Sequence, residues 1–186
     1  MKEIIAETIK VLNAGGVILY PTDTIWGLGC DPDNADAIAS IYAIKQRVES
    51  KSMIILVKDV EMLEKYVEKI PEVAYQLIEA STGPLTIIYP KAKNLAPNIV
   101  APDGTIAIRI TKCDFCQQLL SEYNKPLVST SANLSGQKPP LGFFNIVNEI
   151  KIAVDYIVPI QLNQFSAAKS SDIIKVWKSG KFEVIR

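Results

Sequence analysis

The sequence predicts an α/β fold: a single-domain twisted mixed sheet with helices on both faces. Three observations predict it. Short unbroken apolar runs, such as residues 17–20 (VILY) and 53–57 (MIILV), read as strands buried on both sides. Segments with apolar residues at helical spacing alternate with these runs. Two closing strand patterns, 173–177 and 182–185, flank residues 178–181 (KSGK), a hairpin turn that makes the sheet mixed.

The elements follow in chain order. Ile4, Ile5, Ile9, Val11 and Leu12 form a helical stripe, and Gly15 and Gly16 stop it. The strand at 17–20 runs into a loop at 21–32, rich in Thr, Gly and Asp. Asn34 caps a helix that turns Ala37, Ile38, Ile41, Tyr42 and Ile44 inward. After the strand at 53–57, Asp59 caps a helix carrying Met62, Leu63, Tyr66 and Val67. Pro71 starts another through Leu77 and Ile78. Residues 85–89 and 105–110 read as strands joined by a long surface loop, and 114–123 as a helix. A strand at 126–129 enters a polar loop at 130–140. A short helix near Ile146 and a strand at 154–158 precede the closing pair.

Composition bounds the function. A chain of 186 residues fits one domain, 1–186, with a core that needs no disulfide. Twenty basic residues balance twenty acidic ones, which argues against a nucleic-acid binder working through bulk charge. Histidine is absent, and with it Ser-His and Cys-His nucleophile chemistry and every His-based metal site. Three cysteines, Cys30, Cys113 and Cys116, indicate a reducing compartment. Cys113 and Cys116 have redox-motif spacing, but two small apolar residues near a helix start is the simpler reading. No signal-peptide core and no run long enough to span a bilayer is present, so a cytoplasmic location without a membrane partner is expected.

Five segments carry chemistry. Residues 21–29 (PTDTIWGLG) place two hydroxyls and a carboxylate after a buried strand, with two glycines that allow close backbone approach. Residues 45–51 (KQRVESK) hold three cations at a helix end, suited to the dipole or to a polyphosphate. Residues 82–86 (TGPLT) read as a tight turn. Arg109, at the end of an apolar strand, needs an anion or solvent; a structural ion pair and a carboxylate-binding role fit equally. Residues 126–136 (PLVSTSANLSG) put four hydroxyls and an amide directly after a strand, where ligands collect in α/β sheets.

Taken in order, these segments and, more weakly, 171–174 (SDII) resemble the YrdC/TsaC-type threonylcarbamoyl-AMP synthase family over nearly the whole chain. The resemblance implies a YrdC-like fold with a concave, positively lined ligand groove. It implies a nucleotidyltransferase that makes threonylcarbamoyl-AMP and pyrophosphate from L-threonine, bicarbonate and ATP, for threonylcarbamoyladenosine modification of tRNA. By the same resemblance Thr24, Arg109, Ser129 and Ser171 hold threonine. Arg47, Lys51, Thr105, Ser131, Asn133, Pro139 and Arg186 hold ATP. Lys45, Arg47 and Lys51 supply catalytic positive charge, and Mg²⁺ enters through the phosphates with no metal ligand from the protein. The tRNA-modification machinery is an expected partner and tRNA a candidate one. Thr111 and Ser170 stand where the family commonly has proline, and residues 161–166 where it is usually glycine-rich. Two alternatives stay open: a YrdC-like paralogue with another carbamoylation substrate, and a tRNA or double-stranded RNA binding module. The missing basic stripe counts against the second.

Overall fold

The computed structural model describes residues 1–46, 53–159, 161 and 170–186. Among these residues nine strands form one mixed sheet. In chain order they are β1 (Ile18–Tyr20), β2 (Gly27–Gly29), β3 (Ile54–Val57), β4 (Leu85–Tyr89), β5 (Ile106–Ile110), β6 (Leu127–Ser131), β7 (Tyr156–Ile157), β8 (Asp172–Val176) and β9 (Phe182–Val184). Their order across the sheet is β7-β1-β2-β6-β3-β5-β4-β8-β9. The pairs β1/β7, β3/β5 and β4/β8 are parallel, and the others antiparallel.

Helices cover both faces, as the apolar pattern predicts. α1 (Lys2–Asn13) buries Ile5 and Leu12, and α5 (Asp114–Tyr123) buries Phe115, Cys116, Leu119 and Leu120. The two pack over Ile18, Tyr20, Leu56 and Leu127 on one face. On the other face, α2 (Ala35–Ile44), α3 (Val60–Glu64), α4 (Glu72–Ala80) and α6 (Asn148–Ala153) enclose the larger core. The capping residues are those the sequence named. Asn34 Oδ1 accepts from the N–H groups of Asp36 and Ala37, and Asp59 Oδ1 from that of Met62. No helix among the described residues is long and apolar enough to cross a membrane.

Several boundaries differ from the sequence reading: α3 ends at Glu64, before Tyr66 and Val67, and three larger differences have a physical reason. The loop at 21–32 contains β2, because glycine is depleted from strands and disguises one. Its glycines serve close packing: a Cβ on Gly29 would lie 2.7 Å from Val128 O and 2.8 Å from the Tyr20 ring. The strand at 126–129 runs on to Ser131, because β2 supplies a partner for the polar residues. The strand at 154–158 shrinks to Tyr156–Ile157 because Val154 closes α6. Cys113 precedes α5 and is buried with Cys116, whose Sγ donates to Pro21 O at 3.6 Å.

After β2, Asp31 ties the sheet to α5. It accepts from Tyr123 Oη at 2.7 Å, Lys125 Nζ at 2.8 Å and the Asp33 N–H at 2.9 Å. Burial raises its pKa, but the hydrogen bonds from Lys125, Asp33 and Tyr123 outweigh burial and hold it below its ordinary value. A carboxyl depressed in the folded state stabilises fully above its unfolded value near ~4, and this is lost as pH falls through the folded value. The stability gap between the native chain and Asp31→Asn is therefore expected to shrink on acidification below about pH 4. Urea midpoints of both proteins between neutral and acid pH measure it; a constant gap contradicts it.

Candidate functional site

Strand alternation builds the site. In β5, Ile106 and Ile108 enter the larger core, so Ala107 and Arg109 face the side covered by α1 and α5. Register carries that face across the sheet: Arg109 pairs with Leu56 and Thr86, Thr86 with Ile173, Ile54 with Ser129, and Gly27 with Ser131. α1 and α5 cover only part of it. Over the rest lies a cavity of about 200 Å³ whose walls include Thr22, Thr24, Trp26, Thr86, Arg109, Ser129, Ser131, Pro139, Ser171 and Arg186.

All four residues expected to hold threonine thus share one cavity, with three of those expected to hold ATP. Arg109 is buried at 4% exposure and makes the structural ion pair that was one of the two open readings of its role. Its Nη2 forms an ion pair with Asp23 Oδ1 at 3.1 Å, and both Asp23 Oδ1 and Arg109 Nε are buried without a hydrogen-bond partner. Arg109 lines the cavity, and a buried guanidinium there suits an anionic ligand. Beside it on the neighbouring strand, Thr86 Oγ1 lies 2.7 Å from Ser171 Oγ, both residues buried. Arg186 Nε and Nη2 donate to Ser171 O at 3.2 and 2.9 Å, which seats that guanidinium on the rim. Thr22 Oγ1 donates to Ile25 O at 2.7 Å and accepts from the Thr24 N–H at 3.0 Å, shaping the turn that presents Thr24.

Other expected residues fall differently. Lys45 is buried, and its Nζ donates to Ser131 O and, at 2.7 Å, to Asn133 O. The amine spans from the end of α2 to the loop after β6, so it fastens that loop; Lys45 is not among the cavity-wall residues. Asn133 is not a wall residue either. Its Nδ2 bonds Leu134 O and Gln137 O within its own loop, while its Oδ1 is buried without a partner. Thr105 shares the face of Arg109 but lies beyond the cavity, about 13 Å along the strand; its hydroxyl donates to Asp103 at 2.6 Å. Arg47 and Lys51 lie outside the described residues.

Thr22, Asp23, Trp26 and Thr86 are placed at or against the site although the sequence reading assigned them no role. A signal existed for Asp23: a buried strand arginine needs a counter-anion, and residues 21–24 offer one carboxylate. Thr111, at a proline position of the family, gains by the exchange. Its N–H donates to Val57 O at 3.1 Å and its hydroxyl accepts from the Cys113 N–H at 3.3 Å. Proline could make neither bond. No group of three or more acidic or cysteine side chains that could hold a metal ion occurs among the described residues.

Residues 10–186 match the Sua5/YciO/YrdC family model, described as "Telomere recombination". Over 157 residues, 83% of the chain and 84% of the relative, the sequence is 40% identical to a protein named threonylcarbamoyl-AMP synthase from Pseudoalteromonas translucida (strain TAC 125). The fold matches E. coli YciO with a TM-score of 0.86 at 24% identity, covering 100% of the chain and 89% of YciO. It matches P. abyssi Sua5 complexed with L-threonine with a TM-score of 0.85 at 24% identity, covering 98% of the chain. The chain spans only 53% of that Sua5 protein's length. With a family model covering nearly its whole length and a relative at 40% identity, the chain belongs to the Sua5/YciO/YrdC family.

Proposed function

We propose that the chain is a threonylcarbamoyl-AMP synthase that joins L-threonine, bicarbonate and ATP. One observation carries the reading: Thr24, Arg109, Ser129 and Ser171 share a single cavity with Ser131, Pro139 and Arg186. Its location at strand ends and turns, with hydroxyls facing a buried guanidinium, suits an amino acid beside a nucleotide.

The chemistry needs little from the protein beyond placement. The threonine amine adds to carbon dioxide and gives up a proton to water or bicarbonate, or it displaces water from bicarbonate, and either route gives a carbamate. A carbamate oxygen then attacks the α-phosphorus and pyrophosphate leaves. Both reactants are anions, so the residues act by holding them together and neutralising charge. Arg109 takes the amino-acid carboxylate through its fork of donors. The hydroxyls of Thr24, Ser129 and the Thr86–Ser171 pair surround the rest of the amino acid. Ser131, Pro139 and Arg186 lie on the nucleotide side, and Thr105 extends the same face for a longer ligand. Arg47 and Lys51 supply phosphate-binding cations in this reading, and Lys45 acts through the loop it fastens. Mg²⁺, if carried by the phosphates, would supply further charge neutralisation there, with no protein ligand. The product is a mixed anhydride that water destroys, so a transferase that passes the threonylcarbamoyl group to tRNA is the expected partner, in the cytoplasm.

The test is pyrophosphate release from ATP by the purified protein. Release is expected to require both L-threonine and bicarbonate, with an adenylate adduct recovered by chromatography. Release indifferent to either co-substrate rejects the reading.

A further inference from the structure

We propose that Asp23 is a positioning residue for this reaction: it sets the direction in which Arg109 presents its donors to the amino-acid carboxylate. The inference rests on the reading that Arg109 holds that carboxylate.

Asp23 is a fixed point. Its Oδ1 lies 3.1 Å from Arg109 Nη2, and its Oδ2 accepts from the Lys112 N–H at 3.1 Å. The end of β5 thus delivers both the guanidinium and the backbone donor that pins its counter-ion. The turn bearing Asp23 is itself braced by Thr22, and the preceding Pro21 carbonyl by Cys116. The side chains of Arg109 and Asp23 are only 4% and 10% exposed, so water does not loosen the pair.

A guanidinium is planar and rigid, so holding one end of it limits where its other donors lie. Asp23 Oδ1 pairs with Nη2 by charge, without a hydrogen bond, and Nε has no protein partner. Asp23 is not a wall residue, whereas its neighbour Thr24 is. It therefore acts through Arg109, and one turn registers the guanidinium against the Thr24 hydroxyl. Charge alone pulls the other way. The Asp23 carboxylate lowers the raw attraction of Arg109 for any anion, so what it contributes is direction.

Direction is separable from charge by mirror-image substrates. L- and D-threonine carry the same charges and differ only in how their groups are disposed. In Asp23→Asn the preference for L- over D-threonine, measured as a ratio of kcat/KM values in pyrophosphate release, is expected to fall about tenfold or more, because small misplacements of reacting groups are costly. The KM for ATP is expected to stay unchanged. The ratio does not depend on the fraction of protein folded, so partial destabilisation of the variant does not obscure it. Adding Asp23→Asn to Arg109→Lys is expected to leave the ratio of Arg109→Lys unchanged, since the two act as a unit. A native ratio in folded Asp23→Asn, or a further fall in the double variant, overturns the inference alone. A native enzyme without threonine-dependent release overturns the proposed function and this inference with it.

Discussion

Arg109→Met is expected to destroy threonine-dependent activity and to destabilise the fold by about 3–5 kcal/mol. Arg109 lies in β5, flanked by β3 and β4, and its charge is balanced by Asp23. Removing the cation leaves a carboxylate at 10% exposure facing an apolar side chain. An uncompensated buried charge costs far more than the intact pair contributes. A domain of this kind has only about 5–15 kcal/mol to lose, so a large part of the margin goes. Arg109→Lys separates the two effects. It keeps the charge, loses the planar fork, and is expected to raise the KM for threonine about tenfold or more with a smaller loss of stability. Urea unfolding and steady-state kinetics on both variants measure this. A folded, active Arg109→Met protein contradicts it.

Lys45→Met is expected to destabilise the chain by about 3 kcal/mol and to raise the KM for ATP more than it lowers kcat. The buried amine makes charge-assisted hydrogen bonds to the carbonyls of Ser131 and Asn133. Each such bond contributes about 1.5–3 kcal/mol, partly offset because methionine needs no hydration to be stripped away. For a chain of this size the loss corresponds to a melting point lower by roughly 6–12 °C. With the amine gone, the end of β6 at Ser131, on the cavity wall, and the loop after it are released. A lysine acting directly on the reacting phosphate would behave oppositely, losing kcat with its melting point intact. Thermal melting beside the kinetic split distinguishes the two.

Much of the architecture was legible because its signals are local. The α1 stripe, the caps Asn34 and Asp59, and the turn at Gly180 each depend on a few adjacent residues. β2 was not, although it pairs with the nearby β1 as well as with β6, because its glycines suggest a loop. Site residues were legible where the motif was distinctive, as with Thr24, Ser129 and Ser131. Lys45 carried a role the motif obscured. A lysine in a cationic run reads as a phosphate ligand, and only the path of the next loop shows that carbonyls use its amine. Thr86 is legible only once register is known, since it matters through Ser171, far along the chain, whereas the need of a buried Arg109 for a counter-ion already pointed to Asp23.

The placement of β8 beside β4 has a consequence during synthesis. Ser171 and Ile173 enter the cavity wall from residues made after β1 to β7, yet they face a turn made near the start. A nascent polypeptide still on the ribosome short of β8 lacks that wall. Contacts this remote in sequence form late because the loop they close is long. A translation product cut off after α6 therefore lacks Ser171, Ile173 and Arg186 from that wall.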